Sequence, residues 1–317
     1  SVPGLICSRH TGDHDSDCPA AVADPGRAPR GPMQPMVMAE LDLDPADRSE
    51  AVRLLAELAG SEQVAAALDI LRQRLGQFPA APATGEFGER AWTCAILLFA
   101  PAVAAWHAAR SIDPDITAAT LADVGRQFRL HRTTHGAFGL ETWNWLTMHL
   151  AGGLLQLGRL QFALRELEQN EPVPRAAREW VLDVHIPPTG PLTVDAVQAS
   201  FQRAEHFFPV HFPERHAEVA ICLSWLLDPW LGAALADTNI GRFQRLFTGY
   251  GHSVPAQDDV LYFVFRVRGA VDLQQLPRKT TLQRVVLERI EDGGMWLACR
   301  GFHLLDDATA LPTNGWC

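Results

Sequence analysis

The sequence predicts an α+β protein, an all-α first half followed by a mixed α/β second half, and three observations carry this. From Asp44 to about Arg132 apolar residues recur at helical spacing throughout. After Gly139 short apolar segments of strand length alternate with helical ones. At one junction, Trp180 to Phe208, an apolar run ends on His185, a Pro/Gly turn follows, and an amphipathic helix opens at Thr193. That is the strand–turn–helix order of an α/β unit.

The elements follow in order. Residues 1–38 are rich in Pro, Gly, Asp and Ser without apolar periodicity and read as a disordered N-terminal extension. Residues 39–138 form the helical domain and residues 139–317 the mixed one. Asp44-Pro45 starts a helix whose apolar face is Ala51, Leu54, Leu55 and Leu58. Ser61 opens a second, with Val64, Ala67, Leu68, Leu71 and Leu75 inward. After a Pro/Ala/Gly linker at 79–86, further helices cover roughly 88–111, punctuated by Pro101, and 117–130. In the second half Glu141–Gly152 reads as a short helix and Leu154–Leu167 as a strand with Leu160, Phe162 and Leu164 on one face. Strands are expected at Trp180–His185, Ala217–Leu227, Val260–Val267 and Met295–Leu305, and helices at Asn239–Phe247 and Thr281–Ile290.

Composition bounds the function. The 317 residues are 47% hydrophobic, enough for a sizeable core, and the net charge of -10 leaves no polybasic run to neutralise phosphates or dock on anionic lipid. No uninterrupted apolar run of membrane-spanning length stands out and residues 1–30 lack a signal-peptide core, so the chain is expected to be cytoplasmic, with no nucleic-acid or membrane partner. Six scattered cysteines, three of them inside apolar segments, are not a disulfide framework.

Several catalytic machines are absent. The chain has no G-x-S-x-G elbow, G-x-G-x-x-G, G-x-x-x-x-G-K-[ST], H-E-x-x-H or H-H-x-x-x-D-G pattern. Cys7, His10, His14 and Cys18 have ligand types that zinc prefers, but their spacing is irregular and no core surrounds them, so no metal is expected. His206, His211 and His216 resemble a metal cluster, yet Pro209 and Pro213 are expected to break the helix that would align them. What remains is His185, a titratable side chain at a strand end, followed by Pro187-Pro188-Thr189-Gly190-Pro191 and the helix N–H groups near Leu192 to Val194. An ordinary core histidine in a βα unit is the competing reading. Glu141, Trp143 and Trp145 lie between the halves and are candidates for the wall of a cleft holding a bulky ligand, against the plainer reading of interdomain core.

The order of elements in the second half resembles the GNAT acyltransferase fold, with Trp180–Pro187 and Ala217–Leu227 as the two parallel central strands. More narrowly, LGRLQFAL, His185-Ile186-Pro187 and DPWLGAALADTNIGRF resemble the teicoplanin-type lipoglycopeptide N-acyltransferases, over most of residues 40–305. The resemblance implies a GNAT-like acyl-CoA-binding catalytic domain that moves a long fatty acyl group from acyl-CoA to the glucosamine 2-amino group of a glycopeptide pseudoaglycone. It implies direct transfer in a ternary complex, with His185 as general base and no metal. It further implies that Val184, Ile186, Thr189, Gly190, Pro191, Leu192, Ser224, Trp225, Asn239 and Arg242 hold acyl-CoA, in a monomer. Two departures stand out. The phosphate loop of the fold is reduced to Gly190, and Phe247 stands where a thiolate-protonating tyrosine is usual, with Tyr250 one turn on. The alternative is a non-catalytic GNAT-like module that binds acyl-CoA as a sensor or interaction partner.

Overall fold

The computed structural model describes residues 41–79, 81–167, 171 and 177–305. The extension at 1–38, with Cys7, His10, His14 and Cys18, lies outside the described residues.

The helical half begins with α1 (Pro45–Leu58) and α2 (Glu62–Arg74). Pro45 sits at the start of α1, where its missing N–H costs nothing, and the Ser61 hydroxyl accepts from the Val64 N–H at 3.3 Å to cap α2. Next come α3 (Gly88–Ala109), α4 (Pro114–His135) and the short α5 (Trp143–His149). Asp113 caps α4 through the Asp115 N–H, and Gly136 ends it in the left-handed conformation, φ 69°. Helix α3 is the centre of this half and runs through Pro101 without ending. By length and composition it could cross a membrane, which the sequence reading did not anticipate. Here its Trp92, Ile96, Leu97, Phe99 and Val103 are buried in one core with Leu54, Val64, Leu71, Leu121 and Phe128. Leu146 and Leu150, within and just after α5, belong to that same core.

The second half is a six-stranded sheet in the order β1-β2-β3-β4-β6-β5. Its strands are β1 (Leu154–Leu157), β2 (Leu160–Glu166), β3 (Trp180–His185), β4 (Ala217–Ser224), β5 (Thr248–Pro255) and β6 (Leu297–Leu304). Among the described residues only β3 and β4 run parallel; the long α6 (Val194–His211) crosses between them. The remaining helices are α7 (Pro229–Ala234), α8 (Asn239–Gln244), α9 (Gln257–Phe265) and α10 (Thr281–Glu291).

Several expectations are corrected. Leu154–Leu167 is two strands, because Gly158 at φ 85° turns the chain into a hairpin. Val260–Val267 is helix α9, not a strand. Asp258 and Asp259 suit its N-terminus, and it buries Val260, Leu261 and Tyr262. The strand the sequence reading missed is β5, a polar edge strand with two glycines. The Ala217–Leu227 strand ends at Ser224 in a 3-10 turn, Trp225–Leu227. Pro209 lies inside α6 rather than breaking it; His206 and His211 bond to the Gln202 and Arg110 carbonyls.

Alternation along the strands gives the sheet two faces. Leu155, Leu157, Phe162, Leu164, Leu182 and Val184 pack with Val197, Phe201 and Ala204 of α6. The register pairs Gln156↔Gln161↔His185 and Ala163↔Asp183 set the opposite face, toward α4 and α5. There the Gln156 N–H donates to the Thr120 hydroxyl at 2.9 Å, and the Trp145 ring meets His185 edge-on at 4.5 Å.

Candidate active site

Strands β3 and β4 pair in parallel from Trp180↔Ala217 to Asp183↔Ile221, with a register shift between Trp180 and Leu182, and beyond Asp183↔Ile221 their pairing stops. Each nevertheless stays paired on its outer side, through Gln161↔His185 and Ser224↔Cys299. Rigid on both flanks and unpaired between them, the sheet opens as a V. Val184 and His185 form one arm and Cys222, Leu223 and Ser224 the other. A cavity of about 690 Å³ occupies the opening. Its walls include Ile186, Gly190, Pro191, Leu192, Trp225 and Asn239, together with Leu223, Val254 and Phe263, three exposed apolar side chains at its rim.

Eight of the ten sequence-inferred cofactor residues therefore come together here with His185. Thr189 does not line the cavity; it is exposed, its N–H donating to the Pro187 carbonyl at 2.8 Å. Arg242 is exposed on α8 and is also outside the lining. Of the proposed cleft wall, Trp145 touches His185 from behind without reaching the cavity. Trp143 stacks on Trp92 in the helical core, centroids 4.9 Å apart. Glu141 lies off the cavity, its Oε2 3.1 Å from His135 Nε2 and 3.7 Å from Arg268 Nε. With His131 these residues are spaced for a metal ion, but the Glu141 N–H already donates to His131 Nδ1 at 3.1 Å and Arg268 already competes for the carboxylate. Tyr250 faces Phe302 on the far side of the sheet, its phenol pushed up to about 12 chiefly by burial.

The turn after β3 is held by a residue the sequence reading passed over. Arg159, in the β1–β2 hairpin, donates to the Pro187 carbonyl at 2.8 Å, to Gly190 at 2.7 Å and to Pro191 at 3.2 Å. A turn with three prolines has few N–H groups but a full set of carbonyls, and one guanidinium fork gathers them. Gly190, at φ 136°, supplies the conformation other residues avoid. The Ser200 hydroxyl of α6 accepts from the Arg159 N–H at 2.8 Å, tying hairpin, turn and helix together. Arg159 and Arg266 are cations on the cavity wall; Ser224 spends its hydroxyl accepting the Leu226 N–H. The signal for Arg159 was an Arg after a Gly between two apolar runs.

His185 is half-buried, but its Nε2 is enclosed and has no hydrogen-bond partner. Burial pushes its imidazole below the ordinary histidine range. The Asp183 and Asp123 carboxylates push it back up, and Arg165 opposes them. Arg165 itself donates to Asp183 at 2.5 Å and to Glu171 at 2.7 Å. Behind His185 lies His149, completely buried, its Nε2 3.6 Å from Asp123.

Residues 34–152 match the N-acyltransferase N-terminal domain and residues 154–303 match the GNAT-like C-terminal domain. The chain is similar to a solved acyltransferase in complex with decanoyl-CoA, at 29% identity and TM-score 0.74, covering 90% of this chain and 91% of the other. It is also similar, with TM-score 0.72 and the same identity and coverage, to acyltransferase structures in complex with CoA and 10C-teicoplanin and with decanoyl-CoA and teicoplanin. Among curated proteins the chain has no match. With both domains matched in order and acyl-CoA bound by its solved neighbours, this chain belongs to the GNAT-like N-acyltransferases and is an acyl-CoA-dependent enzyme.

Proposed function

We propose that the chain transfers a long fatty acyl group from acyl-CoA to the glucosamine 2-amino group of a teicoplanin-type glycopeptide, by direct attack in a ternary complex with His185 as general base. The observation that carries this reading is the V between β3 and β4 with His185 on one arm. Where two parallel strands part, each presents backbone N–H and C=O groups that have lost their partner strand. An extended amide chain such as pantetheine can take up those bonds, and the same N–H groups can stabilise a tetrahedral oxyanion. The N-terminus of α6 and the Arg159 guanidinium would meet the pyrophosphate. The apolar rim of Leu223, Val254 and Phe263 suits the acyl chain or the aromatic aglycone. The complexes of the solved relatives with decanoyl-CoA and teicoplanin support both substrates.

His185 suits the base. An amine must be free of its proton to attack a thioester, and an imidazole kept neutral by burial accepts one at pH 7 while the Asp183 and Asp123 charges steady the imidazolium. His185→Ala is expected to lower kcat by about 10²–10⁴ and to leave decanoyl-CoA affinity by isothermal titration unchanged. Product formation from decanoyl-CoA and the pseudoaglycone, followed by mass spectrometry, is the assay. Full turnover in the variant would overturn the assignment, and absence of decanoyl-CoA binding to the unmodified protein would overturn the donor.

A further inference from the structure

The face of the sheet behind His185 carries an unusual row. Register pairs Gln156 of β1 with Gln161 of β2, and Gln161 with His185 of β3, so the three side chains stand side by side on one face, about 5 Å apart. Gln156 and Gln161 are buried, and each member of the row has an enclosed polar atom without a partner: Oε1 of Gln156, Nε2 of Gln161 and Nε2 of His185. The helices above add Asp123 Oδ2, an Arg126 guanidinium nitrogen and both ring nitrogens of His149, again enclosed and without a hydrogen-bond partner, with His149 Nε2 3.6 Å from Asp123 Oδ2. Buried polar groups are almost always satisfied, so a cluster of this size marks a place built for water. The far end of the row matters as well. Gln156 also lines a second cavity, about 630 Å³ between α4 and α6, whose wall carries Asp113, Asp115 and His206. Both carboxylates there are exposed.

The reaction needs such a route. An ammonium that becomes a secondary amide sheds two protons: the C–N bond forms, the C–S bond breaks, one proton ends on the departing thiolate and the other must reach water. With acyl-CoA and a bulky acceptor filling the V, the cavity side of His185 is closed to solvent. We propose that the row Gln156–Gln161–His185, roofed by Asp123, Arg126 and His149, is a hydrated proton exit that carries the surplus proton from His185 to the second cavity, with Asp123 and His149 as positioning residues. This rests on His185 as the base. In the exit step the imidazolium returns to imidazole, water held by these polar groups takes and passes the proton, and no electrons move.

The test uses the full-length enzyme with decanoyl-CoA and pseudoaglycone. The groups facing His185 are Asp123 and Arg126 from α4, His149 from α5, Arg165 from β2 and Asp183 from β3, with Arg159, Asp259 and Arg266 on the cavity wall. A neutral base gives an acid limb at its own pKa, and the Asp123 charge raises that pKa. Asp123→Asn is therefore expected to move the acid limb of kcat down by about one pH unit. Gln161→Leu interrupts the row. It is expected to lower kcat about tenfold with both KM values unchanged, and to straighten a proton inventory in H₂O/D₂O mixtures that is bowed in the unmodified enzyme. If Gln161→Leu does not fold, Gln161→Met serves in its place. Either variant matching the parent in kcat and in its signature, with His185→Ala inactive, overturns the exit alone. Full turnover in His185→Ala overturns the base and the exit together.

Discussion

The two faces of the sheet share the same strands and have opposite chemistry. Toward α6, Leu155, Phe162, Leu182 and Val184 close on Val197 and Phe201 in one apolar cluster, and the buried Ser200 hydroxyl is spent on the β1–β2 hairpin. Toward α4 and α5, the alternate residues of β1, β2 and β3 include Gln156, Gln161, Arg165, Asp183 and His185, beside the apolar Leu154, Ala163 and Val181. Both faces are covered, yet only the second carries a row of polar and charged side chains. A covered polar face forgoes hydrophobic stabilisation that the sequence could have taken. The difference teaches that the α6 face holds the fold and the opposite face holds the chemistry, and it can be broken or sharpened by substitution on each side.

The largest effect on stability belongs to the apolar face. Phe162 is completely buried, its ring edge-on to Phe201 at 5.4 Å. Phe162→Ala removes that ring and leaves a cavity in a close-packed layer, an expected loss of about 3–5 kcal/mol in denaturant unfolding. A loss under about 1 kcal/mol would mean that this face is not the one that holds the sheet together.

Next comes acid sensitivity. His107 is buried in the helical half with both ring nitrogens satisfied: Nε2–H donates to the Gly152 carbonyl at 3.1 Å and Nδ1 accepts from the Thr117 hydroxyl at 3.2 Å. Burial is the main cause that lowers its pKa to about 4, against an ordinary value of 6.5. The unfolded chain then binds the proton more tightly than the folded one, so the stability this imidazole contributes is full above pH 6.5. It is lost as the pH falls from there to about 4, by about 3 kcal/mol. His149 and His185 are lowered too and add the same sign. Unfolding free energies at pH 7 and pH 4.5 measure the slope, and His107→Gln should flatten it. A slope unchanged by that substitution would remove His107 from the account.

How far the molecule was legible in its sequence follows the same division. The α6 face announced itself, since Leu160, Phe162 and Leu164 are a period-two signal and all three are buried where that signal puts them. So did the βα junction at His185, because an apolar run, a Pro/Gly turn and a capped helix are each local. The V is not local: it depends on where the pairing of β3 and β4 stops. Helix α9 was hidden because VLYFVFRV has the β-branched and aromatic composition of a strand, and packing of Val260 and Leu261 overrode propensity. Strand β5 was hidden for the opposite reason, TGYGHSVP being polar and glycine-bearing at an exposed edge, where pairing with β6 alone makes it a strand. Arg159 and the Asp123–His149 pair were invisible because their partners lie 26 or more residues away, at Pro187, His185 and each other.

The smallest expected effect on stability divides the two faces most sharply. Gln161 is as buried as Phe162 beside it in the chain, 2% against 0% exposed, but its side chain stands on the other face and its Nε2 has no partner. Leucine has about the same volume and no donor to satisfy. Gln161→Leu exchanges an amide with an unpaired donor for apolar contact, so gain and loss nearly cancel, and stability should change by less than about 1 kcal/mol in either direction. Unfolding of Gln161→Leu beside Phe162→Ala measures the contrast directly. A loss as large as that of Phe162→Ala would mean that the polar row packs the sheet as the apolar face does. Near-neutral stability with a slowed reaction would mean that a residue enclosed in the protein is kept for turnover, and that burial on this face marks the route of a proton.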